Sequence, residues 1–577
     1  MTDKGDISPS TGAAEPPPAP TLARHPEPAT SSSYKTAASS PAPVRDHSYQ
    51  DLKASRGPAG DARPVVLGAV AVAATVAASI VPFDRPGLGW LLATLVATAA
   101  LVTAARSTAA LATASPSPAV PATPVPAPAT PPAVEATAGP ARPDATGPAR
   151  PDATGAPGRA ARVLWAAATI ALVSVGYVRA AGWLFTLCLL AAVVTGALAM
   201  VGARTPLGML AAVLLTPIAP FRALPWAVRG ARRLGPAPST LRRALATVAA
   251  SVGLLLVFGL LLSSADAVFA DLLAGLLPTV SPGGGVGWLF RLALIGGGLL
   301  GAAYLVVAPA DPDRLRTAPA RPVRRLEWAV PLALLDVLFA AFVLVQLTVL
   351  FGGSAHVLRT AGLSYAQYAR GGFWQLLAVS ALTLLVIAGA IRWAPRATRA
   401  DRVLIRVLLG TLTALSLVVV ASALYRMQVY ADAYGATRLR LVVATVELWL
   451  GALFVLVGVA VVLLRAGRLP ALVVGTAVLA LLGLAAVNPD RLVAEHNVDR
   501  YRQTGRIDVS YLSGLSADAA PALARLPEQL RSCALRDIAA SLPADDVRTA
   551  NLGRATARDL LVPALLDAPP PVGCWNR

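Results

Sequence analysis

Apolar runs of about 20 residues recur from residue 64 to residue 488, and arginine collects in every second connection between them. A hydrocarbon core of about 30 Å needs roughly 20 apolar residues of helix. The chain supplies that length about eleven times, near 64–83, 89–105, 161–178, 182–203, 244–263, 287–309, 328–351, 373–392, 403–425, 440–464 and 470–488. The expected fold class is therefore all-α: a polytopic transmembrane helix bundle with a small, mostly helical extracytoplasmic C-terminal domain. One further apolar stretch, 206–221, is short and broken by Pro217 and Pro220. It reads as a re-entrant or interfacial segment.

The arginine pattern sets the expected orientation. Residues 204–243 hold seven Arg and no acid, 310–327 hold five Arg, and 392–406 hold five more. Residues 264–286 carry Asp266 and Asp271 and no basic residue. Cationic loops stay inside, which places the N-terminus in the cytoplasm and the C-terminus outside. Arg426, Arg438 and Arg440 fall on the outer side in this scheme, beside Tyr425, Tyr430 and Tyr434, so that loop is expected to form a structured cap.

The polar stretches divide the chain. Residues 1–63 are rich in Pro, Ala and Ser and read as a disordered cytoplasmic tail. Residues 64–105 form a transmembrane hairpin. Residues 106–160 form a Pro/Ala-rich disordered linker in which ARPDATG occurs twice. Residues 161–488 are the main transmembrane bundle, and 489–577 the extracytoplasmic domain. In that last part, Asp490–Gln503 is expected to be helical and to stop at Gly505. IDVSYL at 507–512 alternates like a short strand, and Ser516 can cap a helix over 517–526.

Composition agrees with a membrane protein: 55% hydrophobic and 14% charged residues. The net charge of +19 does not point to nucleic acid. Residues 489–577 hold 11 Arg against 11 Asp+Glu, so the excess sits in the N-terminal tail and at span ends. There it sets orientation and faces anionic lipid headgroups at the Arg-rich cytoplasmic loops. The bilayer is thus the expected partner; protein partners are not specified by the sequence.

Candidate chemistry is sparse. Asp336 and Glu447 lie inside spans, where an ionisable residue is costly and marks a functional or a paired site. Gln346 shares the span of Asp336. Each acid is either a proton, cation or substrate site or a structural partner of a neighbouring helix. Arg440 lies on the face of Glu447 seven residues away, at the range of a water-mediated link. Tyr365, Tyr368 and Arg370, with Tyr434, Arg438 and Arg440, form a candidate outer rim, readable as an aromatic belt or as a lipid-head site. Cys188 lies in a span. Cys533 and Cys574 are the remaining cysteines and form a possible disulfide in the outer domain. No metal-ligand cluster, nucleotide loop or nucleophile motif is present, and no cofactor is expected. IGGGLLG at 295–301 puts Gly297 and Gly301 at the spacing of close helix packing.

The segments DRPGLGWLL, LLDVLFAAFVLVQLTVLFGG, LSYAQYARGGFWQLL, YGATRLRL, NPDRLVAEHNVDR and DVSYLSGLSADAAPAL occur in this order. Together they resemble a bacterial membrane family of unknown function, domain of unknown function 4173, over roughly residues 160–525. The resemblance implies a multi-span protein with an outer C-terminal segment and implies no activity. Two functions follow as expectations: a small-solute or ion translocator, and a non-transporting scaffold or sensor of the envelope. A membrane enzyme ranks third.

Overall fold

The structure is a computed structural model. It describes residues 61–114, 155–233, 284–307, 323–351, 373–464, 467–542 and 544–561, with isolated positions at 247–266 and at 313. The described residues are helical and contain no strand. Nine of the described helices are long and apolar enough to cross a membrane. The protein is therefore a multi-pass α-helical membrane protein.

The helices are α1 (Pro64–Ile80), α2 (Leu88–Ala114), α3 (Gly155–Val178), α4 (Gly182–Val201), α5 (Pro206–Leu215), α6 (Ala219–Arg232), α7 (Gly285–Val307), α8 (Arg325–Phe351), α9 (Phe373–Trp393), α10 (Arg399–Tyr434), α11 (Arg438–Leu463) and α12 (Leu469–Val487). The tail follows as α13 (Pro489–Thr504), α14 (Val509–Ser513), a 3-10 turn (Ala517–Ala519), α15 (Ala520–Leu523), α16 (Glu528–Ala540) and α17 (Leu552–Leu560). The expected span at 244–263 is described only at isolated helical positions. Residues 1–60 and 115–154 lie outside the described residues. Helix runs further into the linker tract than its composition suggested, to Ala114 from one side and from Gly155 on the other. Its N-terminal flank, ARSTAALATA, is alanine-rich and free of proline, so helix propensity carries α2 onward.

Side-chain bonds assign the helix ends to two sets. At one end, Arg63 donates to the Ser107 carbonyl, Arg162 to the Val201 carbonyl (3.1 Å), and Arg406 to the Val462 carbonyl (3.1 Å). This is the arginine-rich end. At the other end lie the turns after α1, α3, α10 and α12, and the tail domain is bonded to the first three. In helices that associate without a hydrophobic driving force, close packing carries the contact. Gly301 is an instance: a Cβ there would stand 2.6 Å from the Pro220 nitrogen. The expected small-residue packing at 295–301 is thus a contact between α7 and the start of α6.

Helices α5 and α6 meet at a bend of 61°. Both outer ends of the pair are tied at the arginine-rich end. Asp313 accepts from the Thr205 N–H (2.9 Å) and hydroxyl (2.8 Å). Asp61 pairs with Arg229 (3.1 Å) and Arg233 (2.7 Å). Trp288 near the start of α7 donates to Ser79 near the end of α1 (3.1 Å), so α7 runs antiparallel to α1 and Asp313 and Asp61 share an end. The pair therefore enters and returns on one side. Helix α6 has three faces. Ala219, Ala223, Trp226 and Gly230 are buried, Phe221, Leu224 and Val228 are exposed apolar residues, and Arg222 and Arg229 form the third face, with Arg232 exposed between the last two. Such a helix suits the plane of an interface.

The tail domain has its own core of Val493, Val498, Leu512, Leu523, Leu535 and Ile538, extended by Ala180, Ala436 and Leu441 of the membrane part. Helix α13 ends at Gly505, whose φ of 68° suits glycine. Two local expectations are corrected. The strand expected at 507–512 is helix α14, because the Asp508 carboxylate accepts the Tyr511 N–H (2.9 Å) and starts a helical turn. Ser516 makes no side-chain cap; its N–H goes to Asp490 (2.9 Å) and its hydroxyl to Asp518 (3.3 Å).

Candidate functional site

Helices α8 and α10 run parallel, in a register fixed at both ends. Arg325 pairs with Asp401 (2.6 Å) at the arginine-rich end, and Arg426 donates to Gln346 toward the tail end. Between Arg406 and Arg426 the chain is apolar for about 20 residues, or ~30 Å of helix, which matches a hydrocarbon core. Arg426 thus marks the tail-side boundary. Asp336 lies ten residues before Gln346, ~15 Å deeper.

Asp336 is 8% exposed, and its Oδ1 has no hydrogen-bond partner among the described residues. By register, Thr413 and Ser416 of α10 share its level. Both hydroxyls donate instead to their own helix, to the Leu409 carbonyl (2.6 Å) and the Leu412 carbonyl (2.8 Å). Glu447 is 1% exposed, and neither carboxyl oxygen has a partner among the described residues. Helices α10 and α11 are antiparallel, with Gly451 against Val420 and Gly458 against Thr413. This register sets Glu447 opposite Leu424, ~3 Å from the Arg426 level. The two acids therefore lie ~12 Å or more apart along the bundle and do not form one site. Leaving a buried polar group without a partner costs ~1–3 kcal/mol, and more when it is charged.

Arg440 makes no direct pair with Glu447. Its guanidinium donates to the Gly435 carbonyl and lies over the Tyr430 ring, 4.3 Å from the centroid. Tyr430 in turn stacks on Tyr434 at 4.9 Å. Gly435 (φ 84°) ends α10, and the Thr437 hydroxyl caps α11 by accepting the Arg440 N–H (3.3 Å). The cap expected at this loop is thus present. The arginines that weaken the orientation count are engaged by protein: Arg426 by Gln346, Arg438 by Asp490, Arg440 by Gly435. Tyr365, Tyr368 and Arg370 lie outside the described residues.

A crevice of about 370 Å³ opens between α8, α9 and α10. Gln346, Gln375 and Arg426 stand at its tail-ward end, and Leu338, Phe342 and Val419 line it deeper in. Gln346 is thus a lining residue. Asp336 stands one turn below Phe339, another lining residue, on the same helix face. Arg426 and Gln375 were not singled out by sequence. The signal for Arg426 was an arginine inside the apolar-to-tyrosine transition of α10, read only as an orientation anomaly.

Where the tail meets the bundle, a buried polar network is built on Asp490, which is 0% exposed. Its carboxylate accepts from Arg438 Nη2 (2.6 Å) and Nε (2.8 Å), Trp183 Nε1 (3.2 Å) and the Ser516 N–H (2.9 Å). Burial opposes its charge, but the Arg438 guanidinium and Ser516 hold the carboxyl below the ordinary aspartate range. Asp518 accepts the N–H groups of Ala180 (2.7 Å) and Ala181 (3.1 Å) just before α4. Its burial outweighs these bonds and raises its pKa. The Asn551 amide donates to the carbonyls of Gly176 (2.9 Å) and Arg179 (2.8 Å), and Arg554 Nη2 to that of Pro86 (3.0 Å). The tail thereby fastens the turns after α1, α3 and α10.

Cys188 is a buried free thiol. Cys533 on α16 is disulfide-bonded; Cys574 lies outside the described residues. Among the described residues, no group of three His, Cys, Asp or Glu is placed to hold a metal ion.

Fold and site define a polytopic helical membrane protein in which the helix turns at one end are tied by a C-terminal domain. The chain belongs to the family described as Domain of unknown function (DUF4153), whose model matches residues 167–526. The resemblance to family 4173 is corrected by this match: the family of unknown function is 4153. No curated protein and no solved structure matches the chain.

Proposed function

We propose that the protein is a translocator of a small solute or ion in the cytoplasmic membrane. The observation that carries this reading is Asp336, a carboxyl buried near mid-depth beneath a crevice, with an oxygen unpartnered among the described residues. Ionisable residues inside spans are costly and mark substrate, ion or proton paths. The test is complementation of a deletion strain, with protein level measured in parallel. Asp336→Asn is expected to accumulate normally and fail to complement. Normal complementation would remove the basis for translocation.

In this reading the arginine-rich end is cytoplasmic and the tail domain lies outside, supported by the span-end arginines. A reporter active only outside the cytoplasm should work after Arg577 and fail at residue 320. Helix α6 would then lay Arg222, Arg229 and Arg232 along anionic headgroups of the inner leaflet. An oxidising compartment on the tail side also suits a Cys533–Cys574 bridge, which the bonded state of Cys533 supports. Maleimide should label Cys188 alone in denatured, non-reduced protein, and two more sites after reduction.

A second reading, a non-transporting envelope scaffold or sensor, is favoured by the tail domain fastened across three turns. It requires that the Asp336 and Glu447 substitutions leave complementation intact.

A further inference from the structure

We infer that the crevice between α8, α9 and α10 is a binding site for an anionic membrane lipid, with its head at Arg426 and one acyl chain directed inward. The inference goes beyond translocation and stands without it. Three observations carry it. The first is shape. Gln346, Gln375 and Arg426 gather at one end of about 370 Å³, while the deeper wall is Leu338, Phe342 and Val419. From Gln346 to Leu338 the wall runs eight residues, ~12 Å, a depth suited to an alkyl chain.

The second is level. Arg426 closes the ~30 Å apolar stretch that begins after Arg406, so its guanidinium sits where headgroups sit. Gln346 holds it at the crevice wall. A guanidinium matches phosphate geometry and attracts anionic heads. The third is access. Leu338 lines the crevice and is 64% exposed, so among the described residues the crevice opens sideways, toward hydrocarbon rather than along the bundle axis. Lipid reaches such an opening from the bilayer.

The experiment uses the full chain in nanodiscs with diazirine-tailed probes: an anionic phospholipid, a zwitterionic phospholipid with the same chain, and a free fatty acid. Cross-links are mapped by peptide mass spectrometry. The anionic phospholipid should label the crevice residues of α8 and α10 about fivefold more than the zwitterionic one, the preference of one surface cation. Arg426→Gln should bring that ratio to about one, and Arg426→Lys should retain it, since one cation carries the preference. Gln346→Leu, which removes the partner but keeps the charge, should also retain it. Val419→Trp should fill the crevice and suppress labelling by both phospholipids, with Phe342→Trp as an independent filling variant. Labelling indifferent to head charge, labelling unchanged by both filling variants, or labelling by the free fatty acid alone would overturn the assignment.

Discussion

The buried acids of the tail and those of the spans are the same residue types at similar burial, yet their surroundings differ. Asp490 is enclosed by four donated hydrogen bonds, and one oxygen of Asp518 accepts from two backbone N–H groups before α4 and from the Ser516 hydroxyl, its other oxygen having no partner among the described residues. Glu447 has both oxygens, and Asp336 one, without a partner among the described residues. The difference separates two uses of a buried carboxyl. In the tail the carboxyl organises structure, because it accepts from N–H groups on elements far apart in sequence. In the spans, packing among the described residues leaves both Glu447 oxygens and Asp336 Oδ1 without a partner, so it does not account for these carboxyls.

The largest effect should come from breaking the tail network. Asp490→Ala strands the Arg438 guanidinium, the Trp183 indole and the Ser516 N–H together. Removing one partner of a buried pair costs ~3–5 kcal/mol. Limited proteolysis of the membrane-embedded protein should then release the tail, while the spans stay intact. Asp518→Ala should act in the same direction with ~1–3 kcal/mol, since the neutral donors of Ala180, Ala181 and Ser516 lose an acceptor.

The two tail acids should also differ in pH dependence. The folded-state pKa of Asp490 is depressed, so its contribution is present above the unfolded value and is lost as pH falls through the folded one. The pKa of Asp518 is raised, so its contribution is full below the unfolded value and declines as pH rises through the folded one. Asp518→Asn should therefore flatten the loss of tail docking seen on raising pH from the ordinary aspartate range. Asp490→Asn should flatten the loss seen on acidification below it. Protease release measured across pH for each variant checks both signs.

The smallest structural effect is expected in the spans. Asp336→Asn and Glu447→Gln remove a charge that no described group compensates, so stability should change by less than ~1 kcal/mol or rise slightly. A large loss would show that a partner exists and would merge the two classes of acid.

The spans and the broken α5–α6 segment were legible because each rests on local signals: apolar length and proline spacing. The acids of the spans stood out for the same reason, being charges inside apolar runs. The tail network was not legible. Asp490 pairs with Arg438, 52 positions away, and Asp518 with Ala180, 338 positions away. An aspartate after Pro489 reads from sequence as a helix start and nothing more. The strand expected at 507–512 failed because alternation over six residues is outweighed by one capping aspartate, Asp508. The crevice needed the parallel register of α8 and α10, which no single segment encodes.

The most direct test of this division compares thermal unfolding of Asp490→Asn, Asp518→Ala, Asp336→Asn and Glu447→Gln with the unaltered protein in one detergent. The account predicts lowered midpoints for the two tail variants and midpoints within about 2 °C of the unaltered protein for the two span variants. An equal fall in all four would contradict it, and would make Asp336 and Glu447 structural acids like the rest.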